Sequence, residues 1–153
     1  MAVVTPVLVL SDGLRRKIEA EGAAAYPNEC CGILIGQDAG PTGGGAKRRV
    51  VERLEPGKNV FEPGEQYHRF SIDPRQQLNA ERAAEAEGKV VLGFYHSHPD
   101  HPARPSEYDR EHAWPFYSYV IVRVAKAKPA DMTSWVLDDK TNQFVAQTIV
   151  GGD

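Results

Sequence analysis

The chain reads as a single α+β domain, α/β-like in its alternation, with a mixed sheet flanked by helices. Three observations predict this class. Residues 31–36 (Cys-Gly-Ile-Leu-Ile-Gly) and 90–95 (Val-Val-Leu-Gly-Phe-Tyr) are short continuous apolar runs, the pattern of strands buried on both faces. Two other segments carry helix start and stop signals. Strands and helices follow one another without a strict strand–helix–strand repeat. At 153 residues the chain suits one compact domain, residues 1–150, followed by a short flexible tail at 151–153.

Taken in order, residues 1–10 are apolar, interrupted by Pro6, and lack both a basic leader and a small-residue cleavage pattern. They are far too short to span a membrane, and read as a first strand of a cytoplasmic protein. Ser11 caps a helix running to about Ala25, with Leu14, Ile18 and Ala25 on one face and Pro27 enforcing its end. The buried strand at 31–36 comes next, then a glycine-rich flexible loop at 40–45 and a strand at 49–54. Residues 55–69 have no clean period and carry Pro56, Gly57, Pro63 and Gly64, which predicts a long surface loop. Phe70-Ser71-Ile72 reads as a short strand. Asp73, Pro74 and Gln76 fall at the cap, first and third positions of a second helix, and Gly88 sits where a closing glycine belongs. The strand at 90–95 then leads straight into His96-Ser97-His98. A proline-rich turn and a short helix opened by Ser106 follow. Residues 117–124 alternate as a strand, and 132–137 with 144–150 suit a hairpin across 138–142.

Composition excludes several classes. Hydrophobic residues at 41% and charged residues at 25% are ordinary globular values, so the chain is neither disordered nor membrane-embedded. A formal net charge of −3 gives no electrostatic reason to bind nucleic acid or an anionic membrane, and leaves room for a partner with a basic face. Cys30 and Cys31 are adjacent, where a disulfide would be strained; with a buried strand directly after them, they read as small packing groups.

The chemistry concentrates in His96-Ser97-His98-Pro99-Asp100-His101-Pro102-Ala103-Arg104-Pro105-Ser106-Glu107-Tyr108-Asp109. In an extended chain residues two apart point the same way, so His96 and His98 can aim their imidazoles at one point. Two neutral imidazoles and a carboxylate suit zinc, whose catalytic sites keep three protein ligands and leave a fourth position to water. Asp109 can complete the set if the loop folds back, and Pro99, Pro102 and Pro105 lower the entropy lost in ordering that loop. Zinc-assisted hydrolysis also needs a carboxylate that is not a ligand, to move the proton. Glu29, abutting a buried strand, is the candidate. Ser106 is placed to donate a hydrogen bond to a developing oxyanion. Plainer readings stand beside these. A His-x-His pair alone is weak evidence for a metal, Ser106-x-x-Asp109 is also a helix capping box, and Glu29 alone reads as a solvated loop carboxylate.

Together the residues resemble the signature of the JAMM (MPN+) metalloproteases: an upstream glutamate, then His-x-His, seven residues, Ser, two residues and Asp. Glu29, His96, His98, Ser106 and Asp109 meet every spacing. Pro27-Asn28-Glu29-Cys30-Cys31-Gly32 and Gly93-Phe94-Tyr95 extend the likeness over nearly the whole chain. The resemblance implies a cytidine-deaminase-like MPN fold and one zinc ion (Zn2+) per chain held by His96, His98 and Asp109. It further implies Glu29 as general acid/base and Ser106 as oxyanion support. The compact form is similar to prokaryotic members that act after the C-terminal Gly-Gly of ubiquitin-like, sulfur-carrier proteins. Two other classes remain in view: a non-catalytic MPN scaffold, and a zinc hydrolase of small amides. Relatives of the scaffold type lose ligands and this chain keeps them; the Pro-Cys-x-x-Cys signature of nucleobase deaminases is not present. His101 and His112 fall outside the pattern and read as surface or neighbouring groups, while Tyr67-His68 and the 55–69 loop are expected to line a substrate groove. Gly151-Gly152-Asp153 resembles the tails such enzymes trim, though a frayed polar end is the simpler expectation.

Overall fold

A computed structural model describes residues 5–39 and 47–151. The loop expected at 40–45 and the tail residues Gly152 and Asp153 lie outside the described residues. Helix α1 (Asp12–Ala25) starts where Ser11 was expected to cap it, its hydroxyl accepting the Leu14 N–H at 3.3 Å. The 3.6-residue period sets Leu14, Ile18 and Ala25 into one apolar cluster with Leu8, Leu10, Leu34, Leu92 and Val120. Helix α2 (Pro74–Ala86) is capped by Asp73, which accepts the Arg75 N–H at 2.9 Å, and is closed by Gly88 at φ 72°. Gln76 does not reach back to the cap; its amide donates instead to the Pro56 carbonyl at 2.8 Å, tying the helix start to the sheet.

Eight strands among the described residues form one sheet: β1 (Val7–Val9), β2 (Cys31–Ala39), β3 (Arg48–Gly57), β4 (Val90–Pro99), β5 (Ser118–Ala125), β6 (Lys128–Asp138), β7 (Gln143–Gln147) and β8 (Ile149–Val150). Their order is β7-β6-β5-β4-β2-β3-β1-β8, with β4–β5, β1–β3 and β1–β8 parallel and the remaining pairs antiparallel. Helix α1 packs on β4, β5 and β6, whereas α2 packs on β4 and β2 from the other face. Strand β4 is therefore central and covered on both sides, as its continuous apolar run requires.

Three expectations need correction. The 144–150 strand is split: β7 pairs with β6 at one edge of the sheet, while β8 pairs with β1 at the other, so the sheet curls until its two edges meet around Thr148. The Gln147 side chain spans that seam, accepting from the Ser134 hydroxyl at 2.7 Å and donating to the Pro6 carbonyl at 2.7 Å. Second, β3 continues to Gly57, paired with Cys31, so the long loop begins later and holds a 3-10 turn at Pro63–Glu65. Third, residues 70–72 form no strand. The Asn59 side chain takes the place of a partner strand, its oxygen accepting the Ser71 N–H at 3.2 Å, and only the Val60 N–H reaches the Ser71 carbonyl.

Candidate metal and hydrolytic site

Alternation along β4 decides which side chains face the site. Phe94, His96 and His98 point to the α2 face, whereas Tyr95 and Ser97 point to the α1 face. The His96 and His98 Nε2 atoms come within 3.0 Å of each other, both rings buried. Helix α3 (Glu107–Glu111) brings Asp109 to the same point, its Oδ2 lying 3.4 Å from His96 Nε2 and 3.3 Å from His98 Nε2.

The capping and ligand readings of Asp109 coexist. The Ser106 hydroxyl accepts the Asp109 N–H at 3.1 Å, and Asp109 Oδ2 accepts the Ser106 N–H at 2.8 Å. The capping box fixes the carboxylate rotamer, and the fixed carboxylate faces the histidines. Burial alone would raise the Asp109 pKa, but the neighbouring His96 and the Ser106 amide hold it well below the carboxylate range.

Antiparallel register brings in Glu29. Cys31 pairs with His96, the Cys30 amide donates to Ser97 Oγ at 2.8 Å, and the Ser97 amide donates to the Cys30 carbonyl at 3.2 Å. One residue further back, Glu29 lies across from His98 and on the same face. Its carboxylate, a His98 ring nitrogen and a His101 ring nitrogen all fall within 4.8 Å of one another. Ser97, the middle residue of the histidine pair, thus works on the opposite face by clamping the backbone next to Glu29. Glu29 is 4% exposed, and burial pushes its pKa up to about 8. His98 and Arg69 pull it down, and Asp109 pushes it further up.

The donor chemistry fits a cation. The Pro102 carbonyl, 2.8 Å from His98 Nδ1, fixes that nitrogen as the N–H and leaves Nε2 as a bare lone pair. That lone pair, the His96 Nε2 and an ionised carboxylate converge within 3.4 Å in a buried place, an arrangement stabilised by a positive charge between them. Phe70 stacks on the His96 ring at 4.5 Å, and His101 on His98 at 4.2 Å, which restricts both imidazoles.

All five residues singled out in the sequence gather here. His101, read as a surface or neighbouring group, is a neighbour of the site, stacked on His98. Tyr67 and His68 stack on each other, and Tyr67 is exposed; the groove is lined instead by Phe70, Ser71 and Ile72. Arg69, which lies over the Tyr108 ring at 4.3 Å, and Phe70 carried no sequence signal, because their segment has no period. Cys30 and Cys31 are free and buried, and burial pushes both thiols up to about 12, as expected for packing groups.

A model of the prokaryotic homologs of the JAB domain matches residues 11–138. The chain belongs to this family. It is 38% identical over 103 residues to a desampylase of Haloferax volcanii, covering 66% of this chain and 67% of that one. It is 35% identical to a probable TtuB-protein conjugate cleaving protease of Thermus thermophilus, covering 75% and 69%. Among solved structures, a Desulfitobacterium hafniense protein superposes with a TM-score of 0.79 at 32% identity, covering 96% of this chain and 94% of that one. A JAB1/MPN domain protein from Archaeoglobus fulgidus shares the fold, with a TM-score of 0.54 at 20% identity and coverage of 95% and 97%. The mixed, helix-flanked sheet read from the sequence is thus the JAB/MPN fold.

Proposed function

We propose that the protein is a zinc-dependent peptidase or isopeptidase that hydrolyses the amide bond after the C-terminal Gly-Gly of a ubiquitin-like or sulfur-carrier protein. The observation that carries this reading is the convergence of two imidazoles and a carboxylate beside a second, buried carboxylate that is not part of the set. His96, His98 and Asp109 hold one zinc ion. Zinc, when bound, polarises the scissile carbonyl and acidifies water. Glu29 takes the proton from the attacking water and returns it to the leaving amine nitrogen. Glu29, whose pKa burial raises, would ionise more readily with a cation held by the adjacent set. Among the described residues the Ser106 hydroxyl accepts the Asp109 amide and donates to none, which leaves its proton to stabilise the oxyanion.

One of these relatives is named a desampylase and the other a probable TtuB-protein conjugate cleaving protease, which supports cleavage of a protein conjugate here. A complete, convergent ligand set argues against a non-catalytic scaffold. We read residues 1–150 as one domain. No described helix is long and apolar enough to cross a membrane. The test is a recombinant sulfur-carrier protein extended by one alanine after its Gly-Gly. The expected result is release of alanine, abolished by a chelator and restored by zinc. An intact extension at high enzyme concentration, with zinc bound, overturns the reading.

A further inference from the structure

Beside the metal set lies a cavity of about 230 Å³ with His96 and Asp109 in its wall. Its lining includes Phe94 on β4, Tyr119 and Ile121 on β5, and Phe144 on β7. Phe70 and Ile72 close one side, and Trp114, 68% exposed, stands at the rim. The aromatic rings brace one another: Phe94 stacks on Tyr119 at 5.9 Å, and Phe144 meets Tyr119 edge-on at 5.7 Å. The Tyr119 hydroxyl accepts the Trp114 backbone N–H at 2.9 Å, which anchors the rim. No lysine or arginine is among the described lining residues.

We propose that this cavity receives a large apolar side chain, the size of Phe or Leu, from the residue that follows the scissile bond. The inference rests on the hydrolase reading above and adds a preference on the leaving-group side. The Gly-Gly before the bond offers no side chains. The first upstream side chain starts two residues back, about 7 Å along an extended tail, whereas this cavity shares its wall with two residues of the metal set. A dry apolar cavity of ~150 Å³ holds a benzene ring, so the one here is large enough for a phenyl or branched aliphatic group. Its lining is mostly aromatic and aliphatic, so it offers a short polar residue little in exchange for lost hydration.

The experiment uses the zinc-loaded full chain and a sulfur-carrier protein extended after Gly-Gly by one residue: Phe, Leu, Ala, Ser or Asp. The same carrier joined through Gly-Gly to a lysine side chain is included. The expected result is a kcat/KM for Phe and Leu at least about 10-fold above Ala and Ser. In Phe144→Ala and in the cavity-filling Ser71→Leu, the Phe-to-Ala ratio falls toward one, while zinc content stays at one per chain. Equal kcat/KM for all five extensions, or a lysine-linked conjugate cleaved faster than every one of them, overturns the proposal. Cleavage of none of the substrates contradicts the hydrolase reading itself, so the two failures are told apart by the Ala extension.

Discussion

His96 and His98 stand on a strand paired on both sides, at Cys31 and at Ile121 for the first of them. Glu29 and Asp109 reach the same point from outside the sheet's regular part. Glu29 precedes β2, and its peptide is held by the loop: its N–H donates to the Gln66 carbonyl at 2.8 Å, and its carbonyl accepts from the Asn59 amide at 3.2 Å. Asp109 depends on a one-turn helix and its capping box. The imidazoles are thus positioned by the sheet, and the carboxylates by a few side-chain hydrogen bonds. Damage to the loop should spare zinc affinity and harm catalysis, whereas damage to the strand should harm both.

The largest effect is expected for His96→Ala. Removing one of three ligands should release the zinc and abolish turnover, measured by metal content after desalting and by carrier cleavage. Retained stoichiometric zinc would place the ligand elsewhere. Ser106→Ala comes next. Losing the oxyanion donor should cost about 10²-fold in kcat, and losing the cap about 1 kcal/mol of stability in urea titration. An unchanged kcat would reduce Ser106 to a cap.

Asn59→Ala sharpens the contrast most. Asn59 donates to the Glu29 and Arg69 carbonyls and accepts from the Phe61 and Ser71 amides. Its loss should destabilise the protein by roughly 1–3 kcal/mol and lower kcat several-fold, with zinc affinity nearly intact. A parallel loss of zinc would erase the distinction between the two halves.

The smallest effect is a pH slope. In the metal-free protein burial raises Glu29 from an ordinary 4.5 to about 8. A raised pKa means the folded state favours the protonated form. Its contribution is therefore present in full below about 4.5 and is lost as pH rises through about 8. The unfolding midpoint of metal-free protein should fall over that window, and Glu29→Gln should flatten the fall. A midpoint that rises with pH there would contradict the burial of Glu29 as a carboxyl.

This division also explains what was legible in the sequence. A strand has a fixed period of two, so His96 and His98 could be read as convergent from spacing alone. The helix caps Ser11, Asp73 and Ser106 were equally local signals. Glu29 gained its role only from the family pattern, because its placement depends on the β2–β4 register, a pairing between segments some sixty residues apart that no local period encodes. Arg69 and the place of Phe70 in the site were missed because their segment has no period to read. The split of the last strand escaped because residues 144–150 alternate without a break, while the curl of the sheet, a property of all eight strands, separates Gln147 from Ile149.

Glu29→Gln tests the central claim most directly, because it removes a proton carrier while keeping the shape and all three ligands. Zinc content and cleavage of the Gly-Gly-Ala carrier are measured on the same sample. The account predicts one zinc per chain with kcat reduced about 10²–10⁴-fold. Cleavage at the wild-type rate with zinc bound would contradict it.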